Sequence, residues 1–367
     1  MKKIYLIEYQ GRCDTDGTAV GHAPKVITEY YDFVKEYCDV SVLAPETIFN
    51  SVDSESFSQT YSLPRCIVMK GQTPFIEKIT NKLHMFDNIS KSIAYANKKG
   101  DGTLWFFNVE FYLLLYLALF KKPKHKIYLT MFIDGYFSSN NSSLKARMLN
   151  KIKQKIFEIA QNKIDLIIST GEKFTYKNCK NFYIPDYYYI PELYSNYLVD
   201  YSNKENVAVC LGTMGRGKQL SEMIDTFNRI GYPLKIVGRF YDEHLYNELC
   251  GKACDNISIN NCYIDINDYL TLLSKSKYTI LPYPEENYSH QTSGVMQEAI
   301  FVGTIPITYN SILDGNCVKG IGFNSWNDVT SELLSQDVSH IFNLYKSDIT
   351  YKYSKEAIYN KYKLIFS

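Results

Sequence analysis

Val207-Ala208-Val209-Cys210-Leu211-Gly212-Thr213-Met214-Gly215-Arg216-Gly217-Lys218 is the stretch on which the reading of this chain turns. Its first five residues are an unbroken apolar run, the signature of a strand buried on both faces. A glycine-rich turn with two cations follows, and from 219 to 229 the apolar spacing becomes that of a helix. Strand, glycine turn and helix in this order bring backbone N–H groups and a helix start to one place, where an anion can sit. Gly212, Thr213 and Gly215 would line such a phosphate site, and Lys218 and Arg216 would supply its charge. The plainer reading is a tight turn whose cations are solvated. The run Gly212-x-x-x-x-Gly217-Lys218 overlaps a nucleotide-triphosphate loop, but Gln219 stands where a Ser or Thr would hold magnesium. No later strand ends in a suitable acid, so an NTPase is disfavoured.

Outward from this unit, short apolar runs alternate with helix-period segments along the whole chain, which predicts an α/β fold with parallel sheets and crossover helices. In the first half, strands are expected over 4–7, 40–43, 104–107, 127–132 and 164–168, with helices over 23–36, 110–120 and 144–161. A second series has strands over 207–211, 234–237, 278–282 and 304–308, with helices near 219–229, 242–249, 266–273 and 295–301. Two doubly wound halves follow: 1–190 and 200–345, with 346–367 as a C-terminal helical tail returning to the first. Pro185 and Pro191 interrupt both helix and central strand, so a hinge is expected near 186–204. No repeat of 20–50 residues is present, which argues against solenoids and propellers.

Composition agrees. A chain of 367 residues fits about two domains. Lys plus Arg is 40 against 39 for Asp plus Glu, so no global field attracts nucleic acid. The nine cysteines have no framework spacing, and Cys250, Cys254 and Cys262 lack the fourth ligand of a tetrahedral metal site. Reduced thiols in a cytoplasmic protein are the expectation, with no bound metal. The apolar start ends at Glu8, short of a signal-peptide core. The 105–120 stretch contains Asn108 and Glu110 and is too short for a bilayer span.

A second signal is Ile280-Leu281-Pro282-Tyr283-Pro284-Glu285-Glu286-Asn287-Tyr288-Ser289-His290-Gln291-Thr292-Ser293-Gly294-Val295-Met296-Gln297-Glu298-Ala299. A strand ends in a polar loop, Ser293 is placed as an N-cap, and a helix follows whose start can receive an anion. Val295, Met296, Ala299 and Ile300 form its apolar stripe, which leaves Glu298 on the flank, facing solvent or a cleft.

Together the two halves resemble the retaining GT-B glycosyltransferases related to glycosyltransferase family 4. Gly212 and Lys218 hold the spacing of that family's glycine and Lys-Gly pair, with Gln219 in place of the second glycine. Val237-Gly238 ends the next strand, as in the family, and the strand over 278–282 runs into Pro282. The family's closing signature is a Glu, seven residues, a second Glu, then Ala, an apolar run, Gly and a Pro-containing strand. Its second part is matched by Glu298-Ala299-Ile300-Phe301-Val302-Gly303-Thr304-Ile305-Pro306-Ile307. The first Glu falls at His290, and the Arg usual before the Lys falls at Thr213, with Arg216 as a substitute. The His that commonly ends a first-domain strand has no counterpart, Phe132 and Asp134 standing near its place. The Thr292-Ser293-Gly294 turn is similar to that of a subgroup whose Ser-Gly amides bind the donor diphosphate.

The resemblance implies two Rossmann-like domains facing across a cleft, nucleotide sugar in the second and acceptor in the first. Glu298 would accept from the ribose hydroxyls, and Lys218 and Arg216 would balance the leaving diphosphate without a metal or other cofactor. His290 joins them as a catalytic candidate, and Gly238 and Pro282 as donor-site residues. The donor would be a UDP- or GDP-sugar, the acceptor a glycan or a polyprenyl-linked glycan. The setting would be bacterial capsule or O-antigen polysaccharide assembly, in the cytoplasm or at the inner face of the plasma membrane. A nucleotide-sugar epimerase of the same fold and a non-catalytic sugar-nucleotide binding protein are the alternatives.

Three further features bear on this reading. Asp14-Thr15-Asp16 reads as loop acids rather than a metal site. His22, in the same loop, is a candidate base at the carboxyl ends of the strands. The segment 144–163 carries Lys145, Arg147, Lys151, Lys153, Lys155 and Lys163 beside Leu149, Ile152, Ile156 and Ile159. It is either a core helix with a solvated lysine face or an amphipathic surface for anionic lipid.

Overall fold

A computed structural model describes residues 1–19, 23–69, 74–107, 109–132, 144–174, 176 and 178–367. The chain divides into two compact units. The first comprises Met1–Thr170, Phe174–Ile184 and Ile358–Ser367, and the second Gly171–Lys173 and Pro185–Ala357.

In the first unit the main elements are β1 (Lys2–Ile7), α1 (Ala23–Val34), β2 (Cys38–Pro45), β3 (Thr60–Leu63), α2 (Phe75–Lys99), β4 (Thr103–Phe106), α3 (Phe111–Leu119), β5 (Lys126–Met131), α4 (Leu144–Gln161), β6 (Leu166–Ser169) and β7 (Asn181–Tyr183). Its strands form a seven-stranded sheet in the order β3-β2-β1-β4-β5-β6-β7. Every neighbouring pair is parallel. The strands are apolar on both faces because helices cover both, so Tyr5, Ile7, Leu104, Phe106, Ile127, Leu129 and Ile167 are all 0% exposed.

The second unit contains β8 (Glu205–Leu211), α5 (Leu220–Ile230), β9 (Leu234–Gly238), α6 (Glu243–Lys252), β10 (Ile257–Asn261), α7 (Ile266–Lys275), β11 (Ser276–Ile280), α8 (Gly294–Phe301), β12 (Ile305–Tyr309), α9 (Asn310–Asn316), β13 (Ile321–Phe323) and α10 (Ser339–Tyr351). Six parallel strands run in the order β10-β9-β8-β11-β12-β13. This order starts in the middle, runs to one edge, returns and runs to the other. It therefore reverses between β8 and β11, and a doubly wound sheet opens a crevice for ligand at the carboxyl ends of its strands at that point. Local signals fix the helices: Asp265 caps α7 through the N–H groups of Asn267 and Asp268, and Gly231, at φ 65°, closes α5 in the left-handed conformation.

The C-terminal helix α11 (Lys355–Phe366) buries its aromatic face in the first unit. Tyr362 stacks on Phe33 with centroids 5.2 Å apart, and Phe366 lies 4.7 Å from Trp105. Three expectations need correction. Residues 186–204 are part of the second unit rather than a free hinge: Tyr194 is 1% exposed in its core, and Tyr189 N–H donates to Tyr353 O at 2.7 Å. Residues 346–357 likewise stay with the second unit.

The third correction concerns α4. Phe157 and Ala160 face the core, while Leu149, Ile152 and Ile159 of the expected core stripe are 51%, 56% and 43% exposed. The helix has apolar residues on two sides, and the sheet takes the side with the aromatic ring. Helix α2 and strand β10 had no counterpart in the sequence reading.

Lys204 is buried beneath β11, its ammonium donating to Ser274 O at 2.5 Å, Val302 O at 3.0 Å and Thr304 Oγ1 at 3.3 Å. Burial pushes it down to about 7, from an unfolded value of 10.5. Between these values the unfolded chain binds the extra proton, so Lys204's contribution to stability rises with pH and is smallest below about 7. Between about pH 7 and 8.5, below the range where the cysteines raised by burial begin to oppose it, chemical denaturation should show stability rising with pH more steeply in the wild type than in Lys204→Met, by about 1 kcal/mol per pH unit.

Candidate functional site

The two glycine-bearing loops meet at the reversal point of the second sheet. Gly212 leaves β8 at φ +99°, a conformation L side chains rarely adopt, and its N–H donates to Val237 O at 3.2 Å. Gly238, ending β9, lies so close that a Cβ there would stand 1.7 Å from Gly212 O. Met214 N–H then donates to Arg239 O at 2.9 Å, and Lys218 N–H closes the turn onto Gly215 O at 3.0 Å. Gly238→Ala should therefore push the 212–218 turn off β9. A loss of about 2 kcal/mol in stability, read by chemical denaturation, is the expected result.

Gln219 ties this turn to the end of β11. Its N–H donates to Pro282 O at 2.8 Å, and its Oε1 accepts from Tyr309 Oη at 3.1 Å and Trp326 Nε1 at 2.9 Å. The residue that displaces both a magnesium-binding hydroxyl and the expected glycine is thus a brace between two loops. Lys218 is half-buried, with Nζ 5.5 Å from the centre of the Tyr283 ring. Tyr283 in turn stacks on Tyr288 at 3.9 Å and 11°.

Arg216 is placed differently from Lys218. It is exposed, and its Nε lies 2.7 Å from Asp242 Oδ2, with Nη1 3.8 Å from Glu248 Oε2. Asp242 caps α6, and the Leu245 N–H and then the Arg216 guanidinium hold its carboxyl below the usual range. The structure therefore directs Arg216 to the acids of α6. Thr213 is exposed and Gly215 half-buried in the same turn.

At the start of α8, Ser293 Oγ accepts from Met296 N–H at 3.4 Å, the expected N-cap. Its own N–H is taken by Asn316 Oδ1 at 3.2 Å, and its hydroxyl lies 3.4 Å from Tyr283 Oη. The Ser293 amide is thus committed within the protein. The Gly294 and Val295 amides remain as the first-turn donors that precede the intrahelical ladder. A Cβ on Gly294 would stand 2.5 Å from Tyr187 Oη, so the helix start packs close against that phenol.

Glu298 lies one helical turn beyond Gly294, on the same face. It is half-buried, and its Oε2 accepts from Tyr269 Oη at 2.7 Å. Of the two orientations the helix pattern leaves open, solvent or cleft, the half-buried carboxylate held by the Tyr269 phenol is not a freely solvated one. Burial, and then the Glu298 charge, push the Tyr269 hydroxyl well above its ordinary range, so it stays a donor. Pro282 is buried, and Thr292 and His290 are half-buried in the loop before α8.

In the first unit, His22 and Asp134 lie outside the described residues. Asp14 accepts from Asp16 N–H at 3.3 Å and Thr18 N–H at 3.0 Å, which makes the triplet a self-capping turn. Sequence reasoning missed Tyr269, Tyr187, Asn316 and Gln219 as site residues. It also missed Glu8, which is 1% exposed at the end of β1 and accepts from Gly11 N–H at 2.6 Å and Gln10 N–H at 3.1 Å. Its signal was an acid closing an otherwise apolar strand.

No family model and no curated protein matches the chain. Solved structures do. HepE of Anabaena, in complex with UDP and glucose, aligns with TM-score 0.63 at 10% identity, over 100% of this chain and 99% of its own. The catalytic domain of starch synthase IV from Arabidopsis thaliana, bound to ADP and acarbose, aligns at 0.60 and 11%, over 100% and 98%. The α,α-trehalose 6-phosphate synthase of Burkholderia multivorans aligns at 0.63 and 10%, over 100% and 97%. The fold is GT-B, two Rossmann-like doubly wound units in one chain.

Proposed function

We propose that this protein is a glycosyltransferase that takes a sugar from a nucleoside diphosphate and passes it, with retention of configuration, to a glycan or polyprenyl-linked acceptor. One observation carries the reading. At the reversal point of the second sheet, a cation-bearing glycine turn is braced by Gln219 to the strand that leads into the α8 start, with Glu298 one turn inside. That arrangement offers an anion a lysine and helix amides, and offers a neighbouring diol a fixed carboxylate.

In the proposed reaction the acceptor oxygen bonds to the anomeric carbon as the bond from that carbon to the diphosphate oxygen breaks. The acceptor proton passes to the departing diphosphate. Lys218 and the first amides of α8 stabilise the charge that grows on the leaving group, a role that needs no metal. The acceptor belongs to the first unit in this reading, and Glu8 and His22, which follow β1 in the sequence, are the candidates to contact it. His290 occupies the place of the family's first Glu, and its half-buried loop position suits contact with the sugar.

Polysaccharide assembly at the inner membrane face is the setting that the basic helix α4 supports. Among the described residues no helix is long and apolar enough to cross a membrane; the attachment proposed is peripheral, through that basic helix.

Calorimetry with UDP, GDP and ADP, followed by turnover of the matching nucleotide sugar with and without a glycan acceptor, tests the reading. Binding of one diphosphate and acceptor-dependent release of it are expected, with the product anomer read by NMR. Turnover without acceptor would convert the assignment to an epimerase, and binding without turnover to a sugar-nucleotide binding protein.

A further inference from the structure

Helix α2 begins outside the core. From residue 75 to residue 84 no side chain is buried, and Met85 is the first that is. Phe75 and Ile76 are 77% and 78% exposed, and Ile79 and Leu83 are 42% and 63% exposed. At 3.6 residues per turn these four share one side of the helix. A helical segment of about ten residues without packing is marginal in water, so what covers this side decides whether it is stable.

Helix α4 presents a matching surface. Met148, Ile152 and Ile159 lie on one side, roughly opposite Phe157, and are 59%, 56% and 43% exposed. The first turn of α3 joins the two helices: Lys82 of α2 has its Nζ 5.3 Å from the Tyr112 ring, and Lys153 of α4 has its Nζ 5.8 Å from the adjacent Phe111 ring. Helices α3 and α4 each follow a strand, so their starts lie at the carboxyl edge of the sheet. The exposed apolar sides of α2 and α4 therefore flank one aromatic turn at that edge.

We infer that the first unit rests on an anionic lipid bilayer through this three-helix face, with the overhanging start of α2 as its wedge. Charge selects the occupant. Lys78, Lys82, Lys151 and Lys155 border the apolar residues, and Glu158 is already held by Lys155 at 3.0 Å. A second copy of so basic a face would repel the first, whereas anionic headgroups meet the lysines while the acyl boundary receives the Phe and Ile side chains. The inference depends on the proposed function only in giving a lipid-linked acceptor a reason to be near. The face itself is independent of the donor site.

Flotation with phosphatidylcholine vesicles, with and without phosphatidylglycerol, tests it on the full chain. Wild type should float with the anionic vesicles about tenfold more strongly, in a salt-sensitive way. The double variant Phe75→Ser, Ile76→Ser should bind the anionic vesicles at least about tenfold more weakly. Lys151→Glu with Lys155→Glu should abolish the preference for phosphatidylglycerol. Both variants should keep the wild-type Tm and UDP affinity, because the substituted side chains are exposed and none belongs to the nucleotide site. Equal flotation of wild type and the Phe75/Ile76 variant would overturn the inference. So would a wild-type dimer in light scattering that the same variant dissolves, which would make the occupant a second copy. Failure of the wild type to bind any of UDP, GDP and ADP would sink the proposed function and leave the flotation result standing.

Discussion

Lys218→Ala should lower sugar-transfer turnover by on the order of 10²–10³, the range seen when one preorganised charge donor is removed from a site where negative charge develops. Nucleoside diphosphate affinity should fall with it, by calorimetry, while Tm stays at the wild-type value. The asymmetry follows from the local structure. The side chain is half-buried against the Tyr283 ring, which positions it without enclosing it in the core. Its backbone closes the turn through Gly215 O, a bond alanine retains. Arg216→Ala is the internal control. Its guanidinium is paired with Asp242 and Glu248 on an exposed surface, where such pairs contribute about 0–1 kcal/mol. Turnover of Arg216→Ala should stay within about tenfold of wild type. A larger loss than that of Lys218→Ala would mean that the arginine leaves its acids on donor binding and that the charge roles must be exchanged.

The difference between these two cations shows where sequence reading stops. Strand, glycine turn and helix were legible from 207 onward because a parallel strand buried on both faces must be apolar throughout, and only glycine accepts φ +99° at Gly212. Gly238 was named through the family resemblance alone, and its physical cause, the Gly212 carbonyl where a Cβ would stand, lies in the approach of two strands that the sequence does not announce. What Arg216 pairs with was not legible, because Asp242 and Glu248 belong to the next helix and nothing in the turn announces them. Gln219 was read as a mismatch to two motifs. Its role as a brace comes from Tyr309 and Trp326, 90 and 107 residues away.

Helix α2 escaped notice because its buried residues begin only at Met85, and the preceding apolar side chains follow a helical spacing directed away from the sheet. Helix α4 was found, but its apolar residues occupy two sides. Periodicity cannot say which side a sheet will choose, and the structure buries the side of Phe157 and Ala160 in the first unit's core. Strand β10 was missed as an edge strand, whose pattern of one buried residue followed by mostly exposed ones has little apolar signal.

Glu298 is where a small change of chemistry separates recognition from stability. Glu298→Ala removes the carboxylate proposed for the ribose and at the same time strips the Tyr269 hydroxyl of its acceptor. Tyr269 is 8% exposed, so its orphaned hydroxyl should cost about 1–3 kcal/mol of stability, and nucleoside diphosphate affinity should fall by about 30–100-fold. Glu298→Gln keeps an oxygen facing the phenol while removing the charge. It should hold the wild-type Tm and still lose about tenfold in affinity, because charge-assisted hydrogen bonds are roughly twice as strong as neutral ones.

Inorganic pyrophosphate separates the two ends of the donor. Its affinity should be unchanged in Glu298→Gln and lowered in Lys218→Ala, since of these two side chains the lysine alone serves the phosphates. If Glu298→Gln binds nucleoside diphosphate like wild type while Glu298→Ala loses nucleotide and pyrophosphate alike, the carboxylate is a strut for Tyr269 and α8, and the ribose must be held by other residues.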